Sequence, residues 1–218
     1  MPGAEQDLRA GLHALQLELN DQQVGQLLDY LALIGKWTRV YNLTAVREPA
    51  EMMTLHILDS LAVIPPLRRH LQQAGLGQGG RLLDVGSGAG LPGVVIAICC
   101  PELSVSCVDT VAKKAAFIKQ AALALKLPNL QGLHSRVENI AQPFDVICSR
   151  AFASLADFTQ WSAGALAPAG VWMAMKGRQL ADELAALPPS VEVFHVEQLR
   201  VPGLDAERCI LWLWPKPL

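Results

Sequence analysis

Several features that would assign a chain at a glance are missing from these 218 residues. There is no long apolar run. The greasiest stretch, Val94 to Cys100, is closed by Pro101, whereas a bilayer span needs about 20 residues. The N-terminus, MPGAEQDLRAGLHALQLEL, has neither a basic start nor an unbroken apolar segment. No secretory signal is read there, and a soluble, cytoplasmic protein without membrane attachment is expected. Cysteine is sparse and odd in number: Cys99, Cys100, Cys107, Cys148 and Cys209 form no CxxC pair, and no histidine stands at zinc-finger spacing. A disulfide framework and a metal site are therefore not expected; reduced thiols packed in a core are. An excess of one charge is also lacking. Lys plus Arg is 18 and Asp plus Glu is 20, a net charge of −2, which argues against a uniformly basic nucleic-acid binder.

What is present is apolar substance, 51% of residues, with only 17% charged, which excludes a disordered chain. It falls into two regimes. Up to about Leu71 the apolar positions recur at helical spacing, as in Leu12, Leu15, Leu19 and then Val24, Leu27, Leu28, Leu31, Ile34. Asn20–Asp21 reads as a break and helix cap, a third helix is expected around Met52–Leu61, and Pro65–Pro66 interrupts the segment after it.

From Arg81 onward short apolar runs alternate with helical stretches. Seven strands are expected: Arg81–Val85, Val105–Val108, Leu130–His134, Phe144–Ser149, Gly170–Met175, Val191–Leu199 and Arg208–Trp214. Helices are expected at Gly93–Cys100, Lys113–Leu127, Ala156–Ala167 and Gln179–Leu187. Such alternation predicts an α/β doubly wound, mostly parallel sheet. The last two strands lack a clear helix between them, only the turn-like Val201–Pro202–Gly203, so that pair should be antiparallel and close one edge. The glycine-rich Gly75–Gly80 divides the chain into a helical cap, residues 1–74, and a sheet domain, residues 75–218.

The most informative segment is Arg81–Gly93, RLLDVGSGAGLPG. A strand carrying Asp84 breaks into Gly86, Gly88 and Gly90 before a helix, with Pro92 at its start. Alternate glycines permit a sharp turn that brings backbone amides against a ligand, and the helix N-terminus points into the same crevice. Gly88–Gly93 fits the dinucleotide string GxGxxG, which keeps a nicotinamide-dependent oxidoreductase open. Framed from the strand, Asp84–Gly90 reads DxGxGxG and resembles the first motif of class I S-adenosylmethionine-dependent methyltransferases. Asp109 ends the second strand about twenty residues on, where a ribose-binding acid belongs under either reading. A non-catalytic nucleotide- or RNA-binding module is the third possibility.

Further segments join in order: NLTAVR at Asn42–Arg47, HILDSL at His56–Leu61, the extended turn GSGAGLPG, SRAFASL at Ser149–Leu155, and Lys176–Gly177. Together they closely resemble the bacterial small-subunit ribosomal RNA guanine-N7 methyltransferases, also called the glucose-inhibited division protein B family. The resemblance implies a class I methyltransferase fold, Rossmann-like and seven-stranded, with a small N-terminal helical cap. It implies S-adenosyl-L-methionine as cofactor and a guanosine of 16S rRNA near the decoding region as substrate, in the rRNA or the 30S particle; nothing in the sequence demands more than a monomer. The cofactor-binding positions it implies are Gly86, Leu91, Val137, Glu138 and Arg150, with Asp109 as the general class I ribose acid; Ser87 and Gly88 join them as members of the glycine turn.

Guanine N7 carries an in-plane lone pair and no proton at neutral pH, so its methylation needs no general base. Arg150 is a candidate for positioning substrate or cofactor. Cys148, in FDVICSR, reads as a buried strand residue rather than the thiolate that cytosine-C5 chemistry requires. Charge by segment also points to RNA. Five basic residues and no acid lie between Asp109 and Glu138, while Asp182–Glu207 holds six acids against Arg200. Candidate RNA contacts are Lys36, Arg39, Arg47, Lys113, Lys114 and Lys176, with Phe152 as a base-stacking aromatic.

Overall fold

The computed structural model describes residues 2–177 and 180–216. Helices α1 (Pro2–Ala14) and α2 (Asp21–Tyr41) open the chain. Asn20 caps α2 reciprocally: its side chain accepts from the Gln23 amide while the Gln23 side chain accepts from the Asn20 amide. Such a cap is worth about 1 kcal/mol. Asn42, at φ 51, ends α2 in the left-handed conformation. The buried face of α2 carries Val24, Leu27, Leu31 and Ile34 as expected, with Tyr30 in addition, while Leu28 is only partly buried.

The expected third helix is present but irregular. Short α3 (Pro49–Met52) passes through a π-helical turn, Met53–Leu58, into α4 (Asp59–Leu61). Pro65 and Pro66 do not end a helix. They occupy the first turn of α5 (Ile64–Gln73), where a missing N–H has no intrahelical partner to lose.

The strands are β1 (Arg81–Val85), β2 (Ser104–Asp109), β3 (Leu130–His134), β4 (Phe144–Arg150), β5 (Leu166–Lys176), β6 (Val191–Leu199) and β7 (Arg208–Pro215). They form one sheet in the order β3-β2-β1-β4-β5-β7-β6. The first five are parallel; β7 runs antiparallel between β5 and β6, and the β6–β7 pair closes the edge as its short connection requires. Connecting helices are α6 (Gly93–Cys99), α7 (Ala112–Ala124), α8 (Leu155–Ser162) and α9 (Leu180–Ala185). The expected start of the last helix, Gln179, lies outside the described residues.

One boundary moves substantially. Helix α8 stops at Ser162, a single 3-10 turn follows at Ala163–Ala165, and β5 begins at Leu166 rather than Gly170. The β4–β5 register shifts between Phe144 and Val146, and a Cβ on Gly170 would lie 2.9 Å from the Phe144 carbonyl oxygen. Gly170 therefore marks a bulge and close backbone approach inside the strand, not its start.

Strand alternation sorts side chains into two layers. Leu82, Met173 and Met175 join a core shared with α1, α2, the π turn, α5, α6 and α7. Leu83, Trp172 and Ala174 face a smaller core with Leu155 and Phe158 of α8. The helical segment is thus packed into the sheet's own hydrophobic layer. Full burial of a side chain such as Leu27 or Ile34 contributes roughly 1.5–3 kcal/mol. All five cysteines are free and buried.

Candidate functional site

The carboxyl ends of β1, β2 and β4 meet at the glycine turn, at the crevice where open α/β sheets bind ligands. Gly86, Gly88 and Gly90 all have positive φ, at 65, 59 and 83°. Only a residue without Cβ holds that conformation cheaply. At Gly86 the space is filled as well: a Cβ there would stand 2.1 Å from the Phe152 ring.

The turn amides were expected to face a ligand, and the structure differs. Gly86 donates to Val108 O, Gly88 to Asp109 Oδ2 at 3.0 Å, and Gly90 to Ser87 O. The first amide of α6, that of Gly93, donates to Asp84 Oδ2 at 2.8 Å, and Pro92 sits at the cap position just before it. All four amides thus find their partners within the protein. What the glycines offer a ligand is proximity of backbone. Asp84 is fully buried, and burial pushes its carboxyl up to about 7 despite the Gly93 bond.

Two cavities open beside the turn and share Gly86, Lys114 and Ala151. The smaller, about 380 Å³, is lined by Asp109, Val137, Glu138, Phe152 and Trp161. Asp109 accepts from Gly88 and from the Val111 amide at 2.9 Å, with the Lys114 ammonium 3.7 Å away. A carboxylate has about four acceptor positions, so capacity for hydroxyl donors remains. Phe152 meets Trp161 edge to face, with ring centroids 5.9 Å apart.

The larger cavity, about 590 Å³, is lined by Ser87, Gly88, Leu91, His56, Asp59, Arg150, Lys176 and Arg208 among others. Its wall is organised by one carboxylate. Asp59 Oδ2 accepts from Arg150 at 2.7 Å and Oδ1 from Arg208 at 3.0 Å. Arg150 also donates to Leu55 O at 2.7 Å, a carbonyl of the π-helical turn. Ala151, directly after Arg150, holds φ 52, a strained conformation for a residue with a Cβ. His56 Nε2 lies 2.9 Å from Thr44 Oγ1. Burial and the Arg150 charge lower its pKa, so the imidazole is neutral near pH 7.

A positioned guanidinium, a neutral imidazole and no poised nucleophile describe a site that orients reactants. Cys148 is fully buried, and burial together with Asp84 holds its thiol well above the usual range, as the strand reading expected.

The family model described as rRNA small subunit methyltransferase G matches residues 23–211. The chain belongs to this family. It is 80% identical over 213 residues to ribosomal RNA small subunit methyltransferase G of Polaromonas sp. (strain JS666), covering 98% of this chain and 94% of that one. It is 74% identical to the protein of that name from Polaromonas naphthalenivorans, over 99% of each chain. Among solved structures, TrmN from Thermus thermophilus superposes with a TM-score of 0.57 at 20% identity, over 75% of this chain and 53% of that one. Coclaurine N-methyltransferase superposes with a TM-score of 0.51 at 12% identity, over 90% and 73%. The fold is the class I methyltransferase fold.

For this methyltransferase the structure gathers Gly86, Ser87, Gly88, Leu91, Asp109, Val137, Glu138 and Arg150 around the two joined cavities. The basic residues divide. Lys114 lines both cavities, while Lys36, Arg39, Arg47 and Lys113 are exposed on the surface. Lys113 donates to Tyr41 O and Arg47 to Asn42 Oδ1. Lys176 lines the larger cavity, but its ammonium is engaged by Ala153 O and Glu183. Phe152 stands against the glycine turn, in the cavity with Asp109.

Sequence reasoning did not single out Arg208, Trp161 or Tyr30. Arg208 sits in no glycine or charge motif, and Tyr30 reads as one more apolar helix position. Among the described residues, no helix is long and apolar enough to cross a membrane.

Proposed function

We propose that this methyltransferase transfers a methyl group from S-adenosyl-L-methionine to N7 of one guanosine of 16S rRNA near the decoding region. The observation that carries the reading is the pair of joined cavities at the glycine turn, with Asp109 in one and Arg150 in the other. Gly86, Ser87, Gly88 and Leu91 would hold the amino-acid end of the cofactor, Asp109 its ribose hydroxyls, and Val137 and Glu138 its adenine. The close approach at Gly86, where any Cβ meets Phe152, supports the fit. Bound there, the cofactor would supply an electrophilic sulfonium methyl to guanine N7, with the carbon–sulfur electron pair retained by sulfur.

The protein's own part is alignment and exclusion of water. Arg150, held by Asp59 and Leu55 O, presents a fixed cation to the larger cavity. No residue need remove a proton, in keeping with a neutral His56 and an inert Cys148. Lys36, Arg39, Arg47, Lys113 and Lys114 would meet RNA phosphates, with residues 1–74 as the cap over domain 75–218. Phe152, beside Asp109, fits a contact to the cofactor's purine better than to an RNA base. Action on 16S rRNA or the 30S particle places the protein in the cytoplasm.

The test is incubation of unmodified 16S rRNA, and separately 30S particles, with the enzyme and methyl-labelled S-adenosylmethionine, followed by nucleoside mass spectrometry. Label in 7-methylguanosine is expected. Label only in a pyrimidine or on an exocyclic amine refutes the reading, and binding of NAD(P) but not S-adenosylmethionine in calorimetry would favour the oxidoreductase.

A further inference from the structure

Helix α2 does more than cover the sheet. Tyr30, at its centre, is completely buried, and its hydroxyl donates to Ala89 O at 2.5 Å with Gly90 O at 3.2 Å. Both carbonyls belong to the glycine turn, 59 and 60 positions away in sequence. We propose that Tyr30 is a positioning residue for the cofactor: its phenol pins the two peptides of the turn from behind, so that the turn is already formed when S-adenosylmethionine arrives.

A peptide unit is planar, so fixing a carbonyl also fixes the N–H on its other side. The Ala89–Gly90 peptide is held at its oxygen by Tyr30 and at its nitrogen by Ser87 O, 2.7 Å from Gly90 N. The next peptide is held likewise: its oxygen accepts from Val94 N and faces Tyr30, and Leu91 N donates to Ser87 O at 3.0 Å. Tyr30 and Ser87 thus grip the turn from opposite sides.

The grip matters because of composition. Glycine at residues 86, 88 and 90 gives this segment more conformational freedom than backbone bearing side chains would have. Unpinned, it would be ordered only at the expense of cofactor affinity. The phenol itself is well held, stacked on Phe117 with centroids 6.4 Å apart. Burial raises its pKa well above the ordinary value, so it remains a donor across the working pH range.

The proposal rests on the glycine turn being the cofactor cradle, and the experiment separates the two. Tyr30→Phe keeps the ring and removes one hydroxyl. Ile34→Val, one helical turn along the same buried face, serves as a control for lost packing. Calorimetric titration with S-adenosylmethionine should show Kd raised about tenfold in Tyr30→Phe, the worth of one neutral hydrogen bond, and unchanged in Ile34→Val. Turnover at saturating cofactor should stay near wild type, because the reacting groups are untouched. Without ligand, the Gly90 and Leu91 amides should exchange hydrogen at least about tenfold faster in Tyr30→Phe. Wild-type protein that does not bind S-adenosylmethionine overturns the cradle and the proposal with it. Binding by wild type with equal affinity in Tyr30→Phe, or equal weakening in both variants, overturns the role of Tyr30 alone.

Discussion

Replacing Asp59 by asparagine should do more damage than its small change in shape suggests. The side chain is 4% exposed and accepts from two guanidiniums, those of Arg150 and Arg208, which are 18% and 28% exposed. The asparagine would fill the same space yet leave two positive groups facing each other across a neutral amide. Removing one partner of a buried ion pair typically costs 3–5 kcal/mol, and partial solvation of the arginines reduces this to about 2–4 kcal/mol here. At roughly 2–4 °C per kcal/mol for a chain of this size, Tm should fall by about 4–16 °C. Since a buried pair is poorly screened, the loss should persist at high salt. Affinity for S-adenosylmethionine should fall too, because Arg150 loses one of its two anchors. Scanning calorimetry of Asp59→Asn, Arg208→Gln and the double variant measures the coupling. With only one guanidinium left, Asp59→Asn should cost at least about 1 kcal/mol less in the Arg208→Gln background. A variant with wild-type Tm, or strictly additive substitutions, would show that Asp59 does not organise this wall.

At Gly86, alanine combines a left-handed backbone with a Cβ driven into Phe152; we expect a loss of about 2–4 kcal/mol and no detectable cofactor binding, and normal Tm and binding would sink the steric argument. Asp84 gives a pH signature. Its carboxyl moves from 3.8 to about 7 on folding, so the folded chain keeps a proton that the unfolded chain has released. This contribution to stability is full below about pH 4 and is lost as pH rises through about 7. Asp84→Asn retains an acceptor for Gly93 and should flatten that part of the profile in urea titrations from pH 5 to 8; an unchanged slope refutes it. Cys148→Ala should methylate at a rate within about twofold of wild type, since the proposed direct displacement forms no covalent intermediate; loss of turnover in a folded variant would reinstate a thiolate mechanism.

Much of the site was legible because it is local. The glycine turn follows directly on β1, Asp109 is the last residue of β2, and the Val137–Glu138 loop comes just after β3, each beside a strand whose apolar run marks its own end. A parallel sheet brings those ends to one edge whatever the intervening helices contain. Local rules failed where two signals overlapped. The sequence pattern ends a helix at residues 166 and 167 and begins a strand at Gly170, yet all lie inside β5 together with Pro168, since an irregular register accommodates them. Residues 53–58 look like ordinary helix, yet form a π turn whose Leu55 carbonyl receives Arg150.

The sequence by itself determined the class of fold, the position of the turn and, through motifs in a fixed order, the family. Periodicity and backbone permissiveness act over a few residues, and a few residues suffice to display them. Only the tertiary structure decided what holds the site in shape. Asp59 meets Arg150 across 91 positions and Arg208 across 149, and Tyr30 reaches the turn across 59. Those partners are chosen by packing of the helical segment against the sheet. The structure also reversed one local expectation: the turn amides that glycine was thought to free for a ligand donate within the protein, to Ser87 O of the turn itself and to Val108 O and Asp109, partners that only the packing of β2 beside the turn supplies.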